Sequence, residues 1–148
     1  MKKIFLADDD SDDRDFFEEA LKELNVPTQL TVAKDGVELM ATLEKFVTIP
    51  PPPPHVIFLD LNMPHKNGFE CLEEIRKNPK LKDIPVAIFS TTSSENAVDT
   101  TYSLGANCYI CKPTSHKLLI KAIETVLSLE LWLDNQKLPI EKFVLKIS

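Results

Sequence analysis

Five short apolar runs, KIFLA (Lys3 to Ala7), QLTVA (Gln29 to Ala33), VIFLD (Val56 to Asp60), VAIFS (Val86 to Ser90) and CYICK (Cys108 to Lys112), recur along the chain with longer segments of helical period between them. Apolar residues at consecutive positions, without polar alternation, suit strands covered on both faces, as in a parallel sheet packed between helices. The intervening segments supply those helices. The first starts after a cap at Asp10 or Ser11, carries Phe16, Phe17, Ala20, Leu21 and Leu24 on one face, and stops before Asn25 and Pro27. A second begins near Asp35-Gly36 with Val37, Met40, Leu43 and Val47 in phase, and a third follows Gly68 with Phe69, Leu72 and Ile75. A weakly apolar fourth covers Ser94 to Leu104, and the fifth is the most regular, with Leu118, Leu119, Ala122, Ile123, Val126 and Leu127. Strand and helix alternating in this way, with right-handed crossovers, predict an α/β doubly wound five-stranded parallel sheet with helices on both faces, for which 2-1-3-4-5 is one of the common strand orders and the one expected here.

A chain of 148 residues has room for one ordinary core, which the pattern places in residues 1–128; residues 129–148 extend the last helix into a tail. That tail, with Leu129, Leu131, Trp132, Leu133, Phe143, Leu145 and Ile147, is too apolar to hang free and is expected to fold back on the core or to complete a homodimer. It is also too short for an output domain of usual size. Prolines 50 to 54 predict a stiff extended loop before the third strand. A formal charge of -6 argues against direct nucleic-acid binding, which needs a basic face. The apolar stretch after Lys2-Lys3 is too short for a signal peptide or a membrane span, so a cytoplasmic location is expected. Three cysteines, Cys71, Cys108 and Cys111, cannot all pair and read as small core residues in a reducing compartment; the C-x-x-C of the last two lacks the context of a redox motif.

Ligands of doubly wound sheets bind outside the carboxyl ends of the strands, where the winding direction reverses, here between strands one and three. Asp8 and Asp9 follow the first strand and Asp60 ends the third, so carboxylates fifty positions apart should meet there. Such a group repels itself in a partly dry cleft unless a cation joins it. Mg²⁺ suits it best, because this ion takes few protein carboxylates and keeps positions for water and a phosphate oxygen. A carboxylate beside Mg²⁺ can attack a phosphoryl donor to form an acyl phosphate, and Asp60 is the expected nucleophile. Lys112, at the end of the fifth strand, can pair with that carboxylate and then with the phosphoryl oxygens, and Ser90 offers them a hydroxyl. The Lys112-Pro113 bond can be cis, which would turn the lysine inward. Asp10, Asp12 and Asp13 read as the acidic first turn of a helix, satisfying its dipole.

The segments LADDDSDD, VIFLDLNMPHKNGFE, IFSTT and GANCYICKP together resemble the receiver domain of two-component response regulators, over roughly Lys2 to Leu127. The resemblance implies a flavodoxin-like fold, Asp9 as a direct metal ligand, Asp8 acting through water, Asp60 as phosphoacceptor and the Asn62 carbonyl as a further ligand. It implies Ser90 as the switch hydroxyl, Lys112 as the charge partner, Pro113 as a cis-proline and Tyr109 as a rotating aromatic. The partners so implied are a sensor histidine kinase or phosphotransfer protein and a downstream protein target, with no enzymatic activity beyond the chain's own phosphorylation and dephosphorylation. Thr91 stands where a smaller residue is usual, Thr114 where phenylalanine is, and Asn62 and Thr92 flank the phosphoryl position without a carboxylate or amine to handle water. The Thr91-Thr92 pair, the NCYI stretch and the extended WL…LP tail are similar to stand-alone receivers working with phytochrome-like histidine kinases. The enzymatic alternative is a haloacid-dehalogenase-like phosphohydrolase, which wants an acid where Asn62 stands.

Overall fold

The structure, a computed structural model, describes residues 2–48, 54–129 and 138–147, so the expectations for Leu131, Trp132, Leu133, prolines 50 to 53 and the Val47 side chain lie outside the described residues. Its elements run β1 (Lys2–Ala7), α1 (Ser11–Lys22), β2 (Thr28–Ala33), α2 (Gly36–Thr48), β3 (Val56–Leu59), α3 (Gly68–Lys77), β4 (Val86–Ser90), α4 (Glu95–Leu104), β5 (Cys108–Cys111), α5 (His116–Ser128) and α6 (Ile140–Phe143). The strands form one parallel sheet in the order β2-β1-β3-β4-β5, the expected doubly wound arrangement.

Consecutive apolar residues are explained by the two-unit period of a strand, which sends neighbours to opposite faces. Phe5, Ala7, Ile57, Leu59, Val86, Ile88 and Tyr109 face α2, α3 and α4 in one core layer. The residues between them, Ile4, Leu6, Val56, Phe58, Ala87, Phe89, Cys108 and Ile110, face α1 and α5 in the other. β2 departs from this pattern: Gln29 and Val32 are exposed, because an outer strand is covered less completely than the three central ones.

Capping confirms the helix starts. Asp10 caps α1 by accepting from the backbone N–H of Asp12 and Asp13, and Asn67 caps α3 in a reciprocal box with Glu70. Two expected core residues lie outside instead: Phe16 and Val37 are both 54% exposed. Adjacent residues on a helix are about 100° apart, so only one of Phe16 and Phe17 can face the sheet. Phe17 does, in edge-to-face contact with Phe58 at 4.9 Å and Phe89 at 5.7 Å. Cys71 and Cys108 are buried as expected, but Cys111 is exposed. It lies three residues from Cys108, and therefore on the opposite face of β5.

The described part of the tail folds back on the core. Phe143 is fully buried, with its ring 5.0 Å from Tyr102 and 6.2 Å from Tyr109. Val144 forms a parallel bridge with Tyr109, and the Leu145 N–H donates to the Tyr109 carbonyl at 2.9 Å. The outer edge of β5 is thereby partly covered, which removes unpaired backbone groups from solvent. Truncating Phe143 to alanine should cost about 3–5 kcal/mol in urea denaturation, as for a buried aromatic in a core, whereas Phe16→Ala should stay within about 0.5 kcal/mol.

Candidate functional site

Parallel pairing of β1 with β3 sets Ala7 opposite Leu59, so the residues just beyond, Asp8 and Asp60, emerge side by side. The Asp60 N–H donates to the Ala7 carbonyl at 3.0 Å and the Asp8 N–H to the Ala33 carbonyl at 3.0 Å, which extends the ladder to the rim. α3 then closes against this corner. A Cβ at Gly68 would stand 2.3 Å from the Asp60 carbonyl oxygen, so only glycine permits the approach.

One carboxylate oxygen from each of Asp8, Asp9 and Asp60 lies within 4.8 Å of the others. Asp8 and Asp60 are buried and Asp9 is exposed. Lys112, one residue past β5, brings its ammonium to 2.8 Å from Asp8 Oδ2 and 3.3 Å from Asp60 Oδ2. Asp8 Oδ1 accepts from the Asp10 N–H at 3.0 Å, and the buried Oδ2 is ion-paired with Lys112 and accepts no other hydrogen bond. Burial pushes Asp8 up to about 6 against the pull of Lys112 and the Asp10 N–H, and burial also raises Asp60. Burial alone would lower the Lys112 pKa, but Asp13, Asp8 and Asp60 around it prevail and carry it well above the ordinary lysine value. Three acids whose oxygens lie within 4.8 Å of one another, two of them buried and sharing one ammonium, fit a hard dication.

Ser90 ends β4, fully buried, and its hydroxyl accepts from the Thr92 N–H at 3.2 Å. The Asn62 side chain donates to the Thr92 hydroxyl at 3.4 Å, so the two residues expected to flank the phosphoryl position do meet. The Asn62 backbone N–H lies 3.5 Å from Asp60 Oδ1. Tyr109 is fully buried, and its hydroxyl donates to the Thr92 carbonyl.

Two corrections follow. No peptide bond among the described residues is cis, so the Lys112-Pro113 bond is trans. The lysine is turned inward instead by the ladder, its N–H donating to the Ser90 carbonyl at 2.9 Å, and by the acids that surround its ammonium. Asp13 is more than a dipole acid, since its carboxylate accepts from Lys112 at 2.8 Å. Arg14 was not singled out from sequence either, yet its guanidinium donates to the Asp8 carbonyl at 2.8 Å. The available signal was position: the first turn of α1 leaves β1 directly over the sheet edge.

A family model for the response regulator receiver domain matches residues 4–124. The chain belongs to the response-regulator receiver family. This receiver is 37% identical over 139 residues to response regulator Rcp1 of Synechocystis sp., covering 93% of each chain, and 30% identical over 125 residues to chemotaxis protein CheY1 of Helicobacter pylori, covering 84% of this chain and 96% of that one. Among solved structures it resembles the phosphorylated cyanobacterial phytochrome response regulator RcpA, with a TM-score of 0.77 and 38% identity over 93% of this chain and 98% of that one. It also resembles the Mn²⁺-bound form of Rcp1, with a TM-score of 0.76 and 37% identity over 94% of this chain and 99% of that one. The phosphohydrolase alternative finds no support in these likenesses.

The raised Asp8 pKa carries a consequence for the metal-free receiver. Its carboxyl ionises near 3.8 when unfolded and near 6 when folded, so between these values the folded state binds more protons and stability falls as pH rises. Asp8→Asn should therefore stabilise the metal-free protein at pH 7 by on the order of 2 kcal/mol, an advantage that vanishes below about pH 4 in urea titrations run at both pH values.

Proposed function

We propose that this receiver takes a phosphoryl group from a sensor histidine kinase or phosphotransfer protein onto Asp60 in a Mg²⁺-dependent reaction, and passes the change to a downstream protein. The observation that carries it is the convergence of Asp8, Asp9 and Asp60 within 4.8 Å, with Lys112 against Asp60. A carboxylate raised by burial is poorly solvated, close to a cation and free to react. Asp9, Asp60 and the Asn62 carbonyl would hold the ion directly and Asp8 through water; bound, it neutralises charge on the donor's oxygens.

An Asp60 oxygen forms the new bond to phosphorus as the bond to the donor's leaving group breaks, the electron pair departing with that group. Lys112 turns its ammonium to the phosphoryl oxygens and keeps its proton. Ser90 hydrogen-bonds the same oxygens, which draws on the turn to Thr92, where the Tyr109 hydroxyl is anchored. The switch pair is thus Ser90 and Tyr109, and residues 1–128 form the receiver to which 129–148 are appended. The chain acts on no separate substrate in this reading. Asn62, two positions after Asp60, brings no acid to activate water.

The likeness to Mn²⁺-bound Rcp1 and phosphorylated RcpA supports both the dication and the modification. No helix among the described residues is long and apolar enough to cross a membrane. A second copy of the chain is the alternative partner. Light scattering with and without beryllofluoride decides it, a monomer mass in both states leaving a separate protein as target.

With Mg²⁺ and acetyl phosphate, intact-mass spectrometry should show one phosphoryl group per chain, absent in Asp60→Asn and absent with chelator. Lys112→Ala should slow the gain by about 10²-fold, as for loss of one charged group that stabilises the transferred phosphoryl. Steady release of phosphate by Asp60→Asn would overturn the reading.

A further inference from the structure

Lys112 has three ammonium protons and meets three carboxylates: Asp8 Oδ2 at 2.8 Å, Asp13 Oδ2 at 2.8 Å and Asp60 Oδ2 at 3.3 Å. Asp8 and Asp60 belong to the group able to share a cation, and Asp13 does not. The position of Asp13 is set by the backbone of α1 and not by a carboxylate contact with that group. Its backbone N–H is capped by Asp10 at 3.1 Å, and α1 is fixed beneath it by buried Phe17, Ala20 and Leu21. The Lys112 side chain is 10% exposed against 33% for that of Asp13, so Asp13 stands nearer the mouth of the site than Lys112.

A dication among Asp8, Asp9 and Asp60 repels the ammonium from those oxygens, and the acid then left to hold it is Asp13. A phosphoryl group on Asp60 adds strong acceptor oxygens that compete for the same protons. We propose that Asp13 is a positioning residue for phosphoryl uptake: it retains the Lys112 ammonium at the mouth of the site while the cation is bound, and yields it to the phosphoryl group on Asp60. The inference rests on the reading of Asp60 as phosphoacceptor. In the step itself, phosphorus exchanges its bond to the donor's oxygen for one to Asp60, acetate leaves with the electron pair when acetyl phosphate is the donor, and Lys112 changes only its hydrogen-bond partner.

The sign of Asp13's influence follows. Its charge draws the ammonium away from the incoming group and also repels an anionic donor at the entrance, and both effects slow uptake. Asp13→Asn keeps the size and the capped backbone and removes both.

The test compares the full chain with Asp13→Asn, Asp13→Ser and Asp13→Glu, with Mg²⁺ and acetyl phosphate, following the rate of mass gain against donor concentration. The two neutral variants should take up phosphoryl about 3- to 10-fold faster, mostly through a lower half-saturating donor concentration, as for release of one partly exposed ion pair. Asp13→Glu, which restores the charge, should return the rate toward wild type, a split that a role in folding alone would not produce. Wild-type uptake with neutral variants no faster than wild type, or Asp13→Glu as fast as Asp13→Asn, overturns this inference alone. No uptake by the wild-type chain overturns the reading of Asp60 beneath it.

Discussion

Three carboxylates at one corner of a parallel sheet, with a single lysine ammonium among them, form the constraint on which the rest of the structure turns. Burial works against the ionisation of Asp8 and Asp60, and one ammonium cannot balance the whole group. The corner is therefore partly desolvated and negative in excess, with Lys112 as the ammonium shared by Asp8 and Asp60. Such an arrangement costs folding free energy, and its persistence makes sense where a cation and then a phosphoryl group complete it.

The sheet makes this corner possible. Parallel strands present all their carboxyl ends along one edge, and order β2-β1-β3-β4-β5 places the ends of β1 and β3 next to each other at the reversal of winding. Side chains immediately beyond the strands inherit their alignment from the ladder, which reaches past both strand ends through the N–H groups of Asp8 and Asp60. The two core layers clamp the strands from both sides, so the acids are held by the most rigid part of the molecule and the loops need only close over them.

Periodicity made the architecture legible, since a run such as VIFL has one interpretation once helices flank it. It also made the site legible, because strand ends in a doubly wound sheet share an edge whatever their separation in sequence. It failed where neighbours compete for one direction. Phe16 beside Phe17 and Val37 near Leu39 and Met40 looked equally apolar, and only the docking angle of each helix decides which is buried. Asp13 was hidden by the company it keeps: in DDDSDD every acid has a helix-dipole explanation, and nothing local tells which one turns toward a lysine 99 positions away. The inward lysine was traced to a cis proline bond, when strand pairing and charge suffice with a trans one.

Among the described residues, Tyr109 joins the turn beyond Ser90 to the tail. Its hydroxyl is held by the Thr92 carbonyl, two residues beyond Ser90, while its own carbonyl accepts from Leu145 and its ring meets Phe143. Tyr102 braces the same segment, its ring against Phe143 and its hydroxyl on the Leu138 carbonyl at 3.0 Å. The backbone of Tyr109 is fixed by β4 on one side and bridged by Val144 on the other, so its ring can move only by giving up contacts that the tail makes. A displacement of the Tyr109 hydroxyl would therefore act on a ring packed against Phe143 and on a strand bridged by the tail.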